Sequence, residues 1–265
     1  MSGHPLDAAR LKVDRALKDL HAAQAELSHW AESEPYHITV DPDPPTGWHS
    51  VRVHIPQPPP ANAAAGIGEA AVKLRSALNY VVLQLRKLHP SPIPKKLADG
   101  RTPLRAQFPI FRSETEFEGT GRRMIHGVPA QWQAEIKSLQ PYDERGNPLP
   151  NHPLAIVNRL SNVDKHTDLL PHLYPIPSDE PLHVLFKLPP GIEITEFRAN
   201  RGALEDDTEV YAFRTNAVGD YTQVLVELDV AFHVAFGEAE LGLERLGDLV
   251  SEIGAVVRHF EPAFA

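Results

Sequence analysis

Cysteine is absent from the 265 residues. That absence excludes disulfides, cysteine-ligated zinc, iron–sulfur clusters and a thiol nucleophile. No apolar run approaches the ~18 residues of a membrane-spanning helix. The opening stretch, MSGHPLDAARLKVDRALKDL, is polar and charged and lacks the apolar core of a signal peptide, so a cytoplasmic protein with no membrane partner is expected. Neither G-x-x-x-x-G-K-[ST] nor G-x-G-x-x-G occurs, which removes support for classical nucleotide binding. G-x-S-x-G, His-Glu-x-x-His and His-x-x-x-His are missing as well, so no serine elbow or helical zinc pair is indicated. No cofactor or metal is expected.

What is present is an ordinary globular composition, 42% apolar and 23% charged, in a chain long enough to bury a sizeable core. The net charge of −9 argues against a general nucleic-acid coat, yet the charge is uneven. Between Lys73 and Arg123 eleven Lys/Arg face four Asp/Glu, an excess of +7 that leaves −16 for the remainder. A basic middle in an acidic chain suits an anionic partner, and equally a solubilising loop.

Apolar spacing predicts a long amphipathic helix over 6–33, with Leu11, Leu17, Leu20, Leu27 and Trp30 on its stripe. Two strands follow around a proline-rich turn, and PQPPP stops the second because proline cannot donate to the ladder. A second long helix is expected over 61–89. Residues 90–128 are rich in Pro, Gly and Arg and read as an irregular excursion, a length often tied to function. A short helix in VPAQWQAEIKSLQ and a helix over 153–170 come next. Then β-branched and aromatic runs between 182 and 236 read as at least three antiparallel strands of one sheet. The C-terminal stretch reads as an amphipathic helix. The expected fold is one α+β domain, 1–265. In it a helical layer, with 61–89 and 153–170 as a central antiparallel pair, packs against a mostly antiparallel sheet. A sub-division is drawn between a helical part with its hairpin, 1–175, and strands plus the last helix, 176–265.

The stretch NRLSNVDKHTDLL, 158–170, concentrates the chemistry. Helical spacing puts Arg159, Asn162 and His166 in one row and Asn158, Asn162 and Lys165 in the next. Leu154, Val157, Leu160, Val163 and Leu170 cover the other side. A histidine of near-neutral pKa can take a proton from a hydroxyl and return it to a leaving oxygen. A neighbouring Arg or Lys can stabilise the charge of a phosphoryl transition state. The alternative is a polar brace, in which Arg75, Asn79, Asn158, Asp164 and Lys165 satisfy one another between two helices and His166 interacts with the helix C-terminus. On either reading Arg75 or Asn79 is expected to reach Asp164 or Asn158.

The segments LRSALNYVVLQL (74–85) and LSNVDKHTDLL (160–170) resemble a set of uncharacterised actinobacterial proteins with L-R-x-A-L-D-H and D-K-H-R helices. Through that helix pair the chain is distantly similar to the HEPN superfamily, whose signature is an arginine, four to six residues, and a histidine. Arg159 and His166 fit it with six between. Asn79–Tyr80 stand where that set has Asp–His, Thr167 replaces its last arginine, and Leu160 follows Arg159 where HEPN nucleases usually have a polar residue. The resemblance implies a metal-independent endoribonuclease and a homodimer. His166, Arg159 and Lys165 would be catalytic, and Arg75, Asn79, Asn162 and Asp164 would contact RNA or another anion. The other reading is a non-enzymatic ligand- or protein-binding module, in which the sheet or the 90–128 excursion holds the ligand or partner.

Among the remaining histidines, His49 and His54 are expected on opposite faces of their strand. His152, His166 and His172 with Asp164 form a weaker metal-site candidate. EFEGTGRRMIHG (116–127) could contact an anion or simply turn the chain.

Overall fold

The computed structural model describes residues 3–43, 45–88, 90, 94–98, 100–166, 171–175, 184–187, 190–200, 204–216, 225–228, 232–236 and 243–265. Between 163 and 187, between 225 and 236, and at 243–244, only the backbone is described. The fold is α+β, with all described strand pairs antiparallel. No helix among the described residues is long and apolar enough to cross a membrane.

Contacts divide the chain into two compact units, neither continuous in sequence. One comprises Met1–Ala23, Ala64–Leu169 and Glu244–Ala265, and the other Gln24–Ala63 and Leu170–Leu243. This differs from the expected division near 175. The N-terminal hairpin goes with the later strands because it pairs with one of them, and the last helix goes with the helical unit.

Helix α1 (Asp7–Glu32) runs from the first unit into the second, as does α2 (Ala61–Leu88) in the opposite sense. The buried positions of α1 include Ala9, Ala16, Leu20, Ala23 and Leu27, spaced by seven, four, three and four. Leu11 and Leu17, expected in the stripe, lie off that face and are exposed. Small alanines thus supply much of the buried surface. In α2 the buried row is Ile67, Ala70, Ala71, Leu74, Ala77, Leu78, Val81, Val82 and Leu85, one continuous face at helical spacing. The acidic and basic sides of the two helices meet where the Lys73 ammonium bonds Asp19, 2.5 Å, and Glu69, 2.8 Å.

Three short segments fill part of the 90–128 excursion: α3 (Glu114–Glu116), a π-helical turn (Phe117–Gly121) and α4 (Arg122–Met124). Ser113 caps the first by accepting from the Glu116 N–H, and Phe117 anchors the turn in the core. Gly121 is required there, since a Cβ would sit 2.9 Å from the Phe117 ring. Helix α5 (Ala130–Ser138) presents Lys137 to Glu114 and Glu118, and Arg122 completes the network. Hydrogen bonds from Arg122 and then Lys137 push the Glu118 carboxyl down to about 2; the bonds Lys137 donates to Glu114 and then Glu118 push its own ammonium up to about 12. Helix α6 spans Pro153–His166, and α7, Leu243–His259, buries Leu246, Leu249, Val250, Ile253 and Val257.

In the second unit β1 (His37–Asp43) and β2 (Trp48–His54) form the expected hairpin. Strands β3 (Pro171–Pro175), β4 (Val184–Lys187), β5 (Ile194–Ala199), β6 (Thr208–Thr215), β7 (Leu225–Leu228) and β8 (Phe232–Phe236) follow. The main sheet has the order β1-β2-β6-β5. Among the described residues, only β5 and β6 of the 182–236 segment join it; β4 pairs with β7 and β3 with β8 as separate ladders. The expectation of three strands from that segment in one sheet is corrected accordingly: two of its β-rich runs find each other rather than the hairpin. One face of the main sheet buries Val51, Val53, Tyr211 and Phe213, with Trp30 from the end of α1 packed against them. His49 lies buried on that side, stacked on Phe213 at 4.8 Å, whereas His54 faces Thr39 and Asp207 on the other.

Candidate functional site

The side of α2 away from its buried row carries Ser76, Asn79, Tyr80, Leu83 and Arg86 in one line. From Ser76 to Arg86 is ten residues, about 15 Å along the axis. Opposite lies the segment Leu104–Gln107, and the two enclose an open cleft of about 540 Å³. That is within the ~300–1,000 Å³ of small-molecule sites.

The second wall is part of a strap pinned from both sides. The Phe108 N–H donates to the Asn79 side-chain oxygen, 2.9 Å. Buried Gln140, just beyond α5, donates to the Pro109 carbonyl at 2.9 Å and accepts from the Phe111 N–H at 3.1 Å. Phe108 itself is fully buried, its ring edge-on to Phe260 at 6.4 Å. Upstream, the Leu104 N–H donates to the Arg123 carbonyl, 3.2 Å. So residues that lack any repeating pattern are held in one path by side chains far away in sequence.

These pins also orient the cleft. Phe108 lies at Asn79, and Leu104 is tied to Arg123, four residues before Gly127. The Arg86 guanidinium lies against Gly127: a Cβ there would be 3.4 Å from its Nε. Arg86 and Arg105 thus line the same cleft, one from α2 and the other from the strap. Gly127 has φ +85°, so the turn itself favours glycine.

The electrostatics are one-sided. Neither Arg86 nor Arg105 has a carboxylate partner among the described residues, while the nearby acids Glu114 and Glu118 are committed to Lys137 and Arg122. The Lys12 ammonium adds a further cation over the Tyr80 ring, 5.2 Å from its centre. The N–H groups of Arg105, Ala106 and Gln107 make no hydrogen bond among the described residues. Arg75 lies half-buried nearby on α2, and its guanidinium bonds Asn79 at 3.2 Å. Burial pushes Arg75 down to about 10, because a charge removed from water is disfavoured when no opposite charge accompanies it.

The residues singled out from sequence divide sharply. Asn79 lines the cleft, and Arg75 bonds it. Neither bonds Asn158 among the described residues; the Asn79 oxygen is taken by Phe108 and Arg75 instead. On α6, Arg159 is half-buried and Asn162 exposed. The helical backbone continues to His166, but the side chains of Asp164, Lys165 and His166 lie outside the described residues, as do those of Val163 and His172. Leu154, Val157 and Leu160 are buried as expected, joined by Ile156 and Ser161.

Sequence reasoning missed Tyr80, Leu83, Arg86, Arg105 and Gln107 individually. The basic excess over 73–123 was the signal that located them as a region. It also missed a helix-start device used twice. In His4-Pro5-Leu6 and His152-Pro153-Leu154 the imidazole Nδ1 accepts the leucine N–H, 3.2 Å in both, at the entries of α1 and α6. His152 thus caps a helix with a lone pair that protonation would remove. Burial holds the His152 pKa below its ordinary value, opposed by Glu252. A depressed imidazole gives stability that is complete above the unfolded value near 6.5 and is lost as pH falls through the folded one. Buried His49, lowered by burial too, acts in the same direction. His152→Asn keeps a capping acceptor that does not titrate, so the decline in unfolding free energy between pH 7 and pH 5 is expected to be shallower than in the wild type. Urea titrations at several pH values measure it; an unchanged slope would show that His152 is not the titrating cap.

No protein-family model, curated protein or solved structure matches the chain.

Proposed function

We propose that the protein is a binding module for an anionic ligand, held between α2 and the strap that crosses it. The observation that carries this reading is the pair of arginines, Arg86 and Arg105, lining one cleft from its two walls and without carboxylate partners among the described residues. Two guanidinium groups and unbonded backbone N–H groups suit an acceptor-rich anion. The local basic excess offsets the repulsion an anion meets from a chain of net charge −9. Phosphate at millimolar concentration is expected to raise the wild-type melting temperature. Arg86→Gln and Arg105→Gln should each remove most of that rise while leaving the melting temperature without phosphate nearly unchanged. A rise that survives in both variants would place the anion elsewhere.

A second reading keeps the α6 row as a metal-independent ribonuclease centre, with His166, Arg159 and Lys165 acting, as a homodimer, on RNA. Its support is the HEPN-like spacing and the uninterrupted helical backbone from Arg159 to His166. Arg159 and His166 lie seven residues apart, about 10 Å along the axis, so long side chains or a second copy must close the gap. His166→Ala should then abolish cleavage of single-stranded RNA in EDTA. Wild-type protein without such cleavage ends this reading and leaves the cleft untouched.

A further inference from the structure

We infer that the ligand of the cleft is a phosphomonoester on a planar ring body, of mononucleotide size. This rests on the anion-binding reading above and adds to it the shape and charge of the occupant.

The order of groups along the α2 wall carries the inference. Arg86 is at one end of the α2 row, and Arg105 lines the cleft from the strap. Leu83, 41% exposed, and the Tyr80 ring follow along α2, with Leu104 and Ala106 in the strap wall. Ser76 is at the far end of the α2 row, and Gln107 lines the cleft from the strap. A ligand laid along this row meets the Arg86 guanidinium, then Leu83 and the Tyr80 ring with the Lys12 ammonium over it, then the Ser76 hydroxyl, while the strap contributes Arg105 and Gln107. The ~15 Å row accommodates a phosphate, a five-membered linker and a ring in succession.

Charge selects the head group. A phosphomonoester is close to dianionic at neutral pH, since its second proton leaves near pH ~6, and so matches two guanidinium groups. A carboxylate, or one phosphodiester link of an RNA chain, brings a single negative charge and leaves one arginine unmatched. Arginine forks pair two N–H groups with two phosphate oxygens, which fixes the head group in orientation as well as place. The middle of the cleft selects the body. Leu83 is a large apolar side chain kept in contact with water, and a flat ring covers it at little conformational cost, beside the tyrosine that the Lys12 ammonium already overlies. An RNA strand can satisfy the same head-group chemistry only through a 5′-phosphorylated end.

Titration calorimetry with AMP, adenosine, inorganic phosphate, and a short RNA with and without a 5′-phosphate tests this. AMP is expected to bind at least tenfold more tightly than adenosine or phosphate, and to weaken as pH is lowered through about 6. Arg86→Gln should reduce AMP binding to the level of adenosine. Tyr80→Ala should reduce it to the level of phosphate, with both variants checked for unchanged melting. Adenosine binding as well as AMP overturns the inference, and so does phosphate binding as well as AMP. In the latter case, with binding still dependent on Arg86, the anion-binding reading stands; if none of these anions binds, both fall. RNA that binds equally with and without its 5′-phosphate, and more tightly than AMP, overturns the monoester and favours a polymer.

Discussion

Phe108→Ala is expected to lower the free energy of unfolding by about 3–5 kcal/mol, the range for truncating a buried phenylalanine. Phe108 has no accessible surface, although it lies in a stretch without helix or strand. Its ring meets Phe260 just after α7, and Trp132 of α5 packs on Phe260 from another side at 5.9 Å. Truncation therefore leaves a hole among rings supplied by three separate segments, which cannot collapse together to fill it. The same residue's N–H is one of the strap's pins. The wall of the cleft should loosen with the core, and phosphate stabilisation should weaken in parallel. Phe108→Leu retains most of the volume and should cost about half as much or less. Urea unfolding of the three proteins, followed by tryptophan fluorescence, gives the comparison. A loss below ~1 kcal/mol for the alanine variant would mean that the strap is dispensable to the core, contrary to the range for a buried ring.

That result bears on what the sequence could tell. Helices α1, α2, α5, α6 and α7 were legible because each repeats an apolar spacing, and the hairpin because Val51 and Val53 alternate with polar neighbours. The faces were read less well. Leucine drew attention to positions 11 and 17, yet small alanines line the buried side of α1. The strap was not legible at all, since its order is tertiary. Nothing in RAQFPIF marks it as fixed; Asn79 and Gln140, each roughly thirty residues away, fix it. The cleft shares that property. One wall, Ser76 to Arg86, is a helix face that periodicity could have traced, whereas the other exists only because the strap lies where it does. Local charge pointed to the region, and no spacing rule could place Arg105 in the same cleft as Arg86. The α6 row was legible as a row, because seven-residue spacing on a helix is local geometry. What those side chains meet is not a local property.

Asn79 separates the scaffold from the ligand, and two substitutions there should part company. Its oxygen accepts from the Phe108 N–H and from the Arg75 guanidinium. Both neighbours can only donate, so the amide has one sensible orientation, with the oxygen toward them. Its NH₂ makes no hydrogen bond among the described residues, and the residue lines the cleft. Asn79→Leu preserves size but strands two donors, one a part-buried N–H and one a cation that burial already disfavours. At ~1–3 kcal/mol for each of the two unsatisfied groups, the expected loss is about 2–6 kcal/mol. Asn79→Asp keeps an acceptor for both donors and supplies Arg75 with the carboxylate it lacks. Its stability should equal or exceed the wild type, and the Arg75 pKa should rise back toward its ordinary value. The same charge stands in the wall of a cleft built for an anion and replaces an available donor with an acceptor. Phosphate affinity should therefore fall several-fold in the aspartate variant although the protein is no less stable. Thermal unfolding with and without phosphate reads both effects from one sample. Equal destabilisation by Leu and Asp would mean that the acceptor is not what Asn79 contributes. Undiminished phosphate binding in the aspartate variant would move the anion away from this wall, because two like charges in one small cleft repel at any orientation.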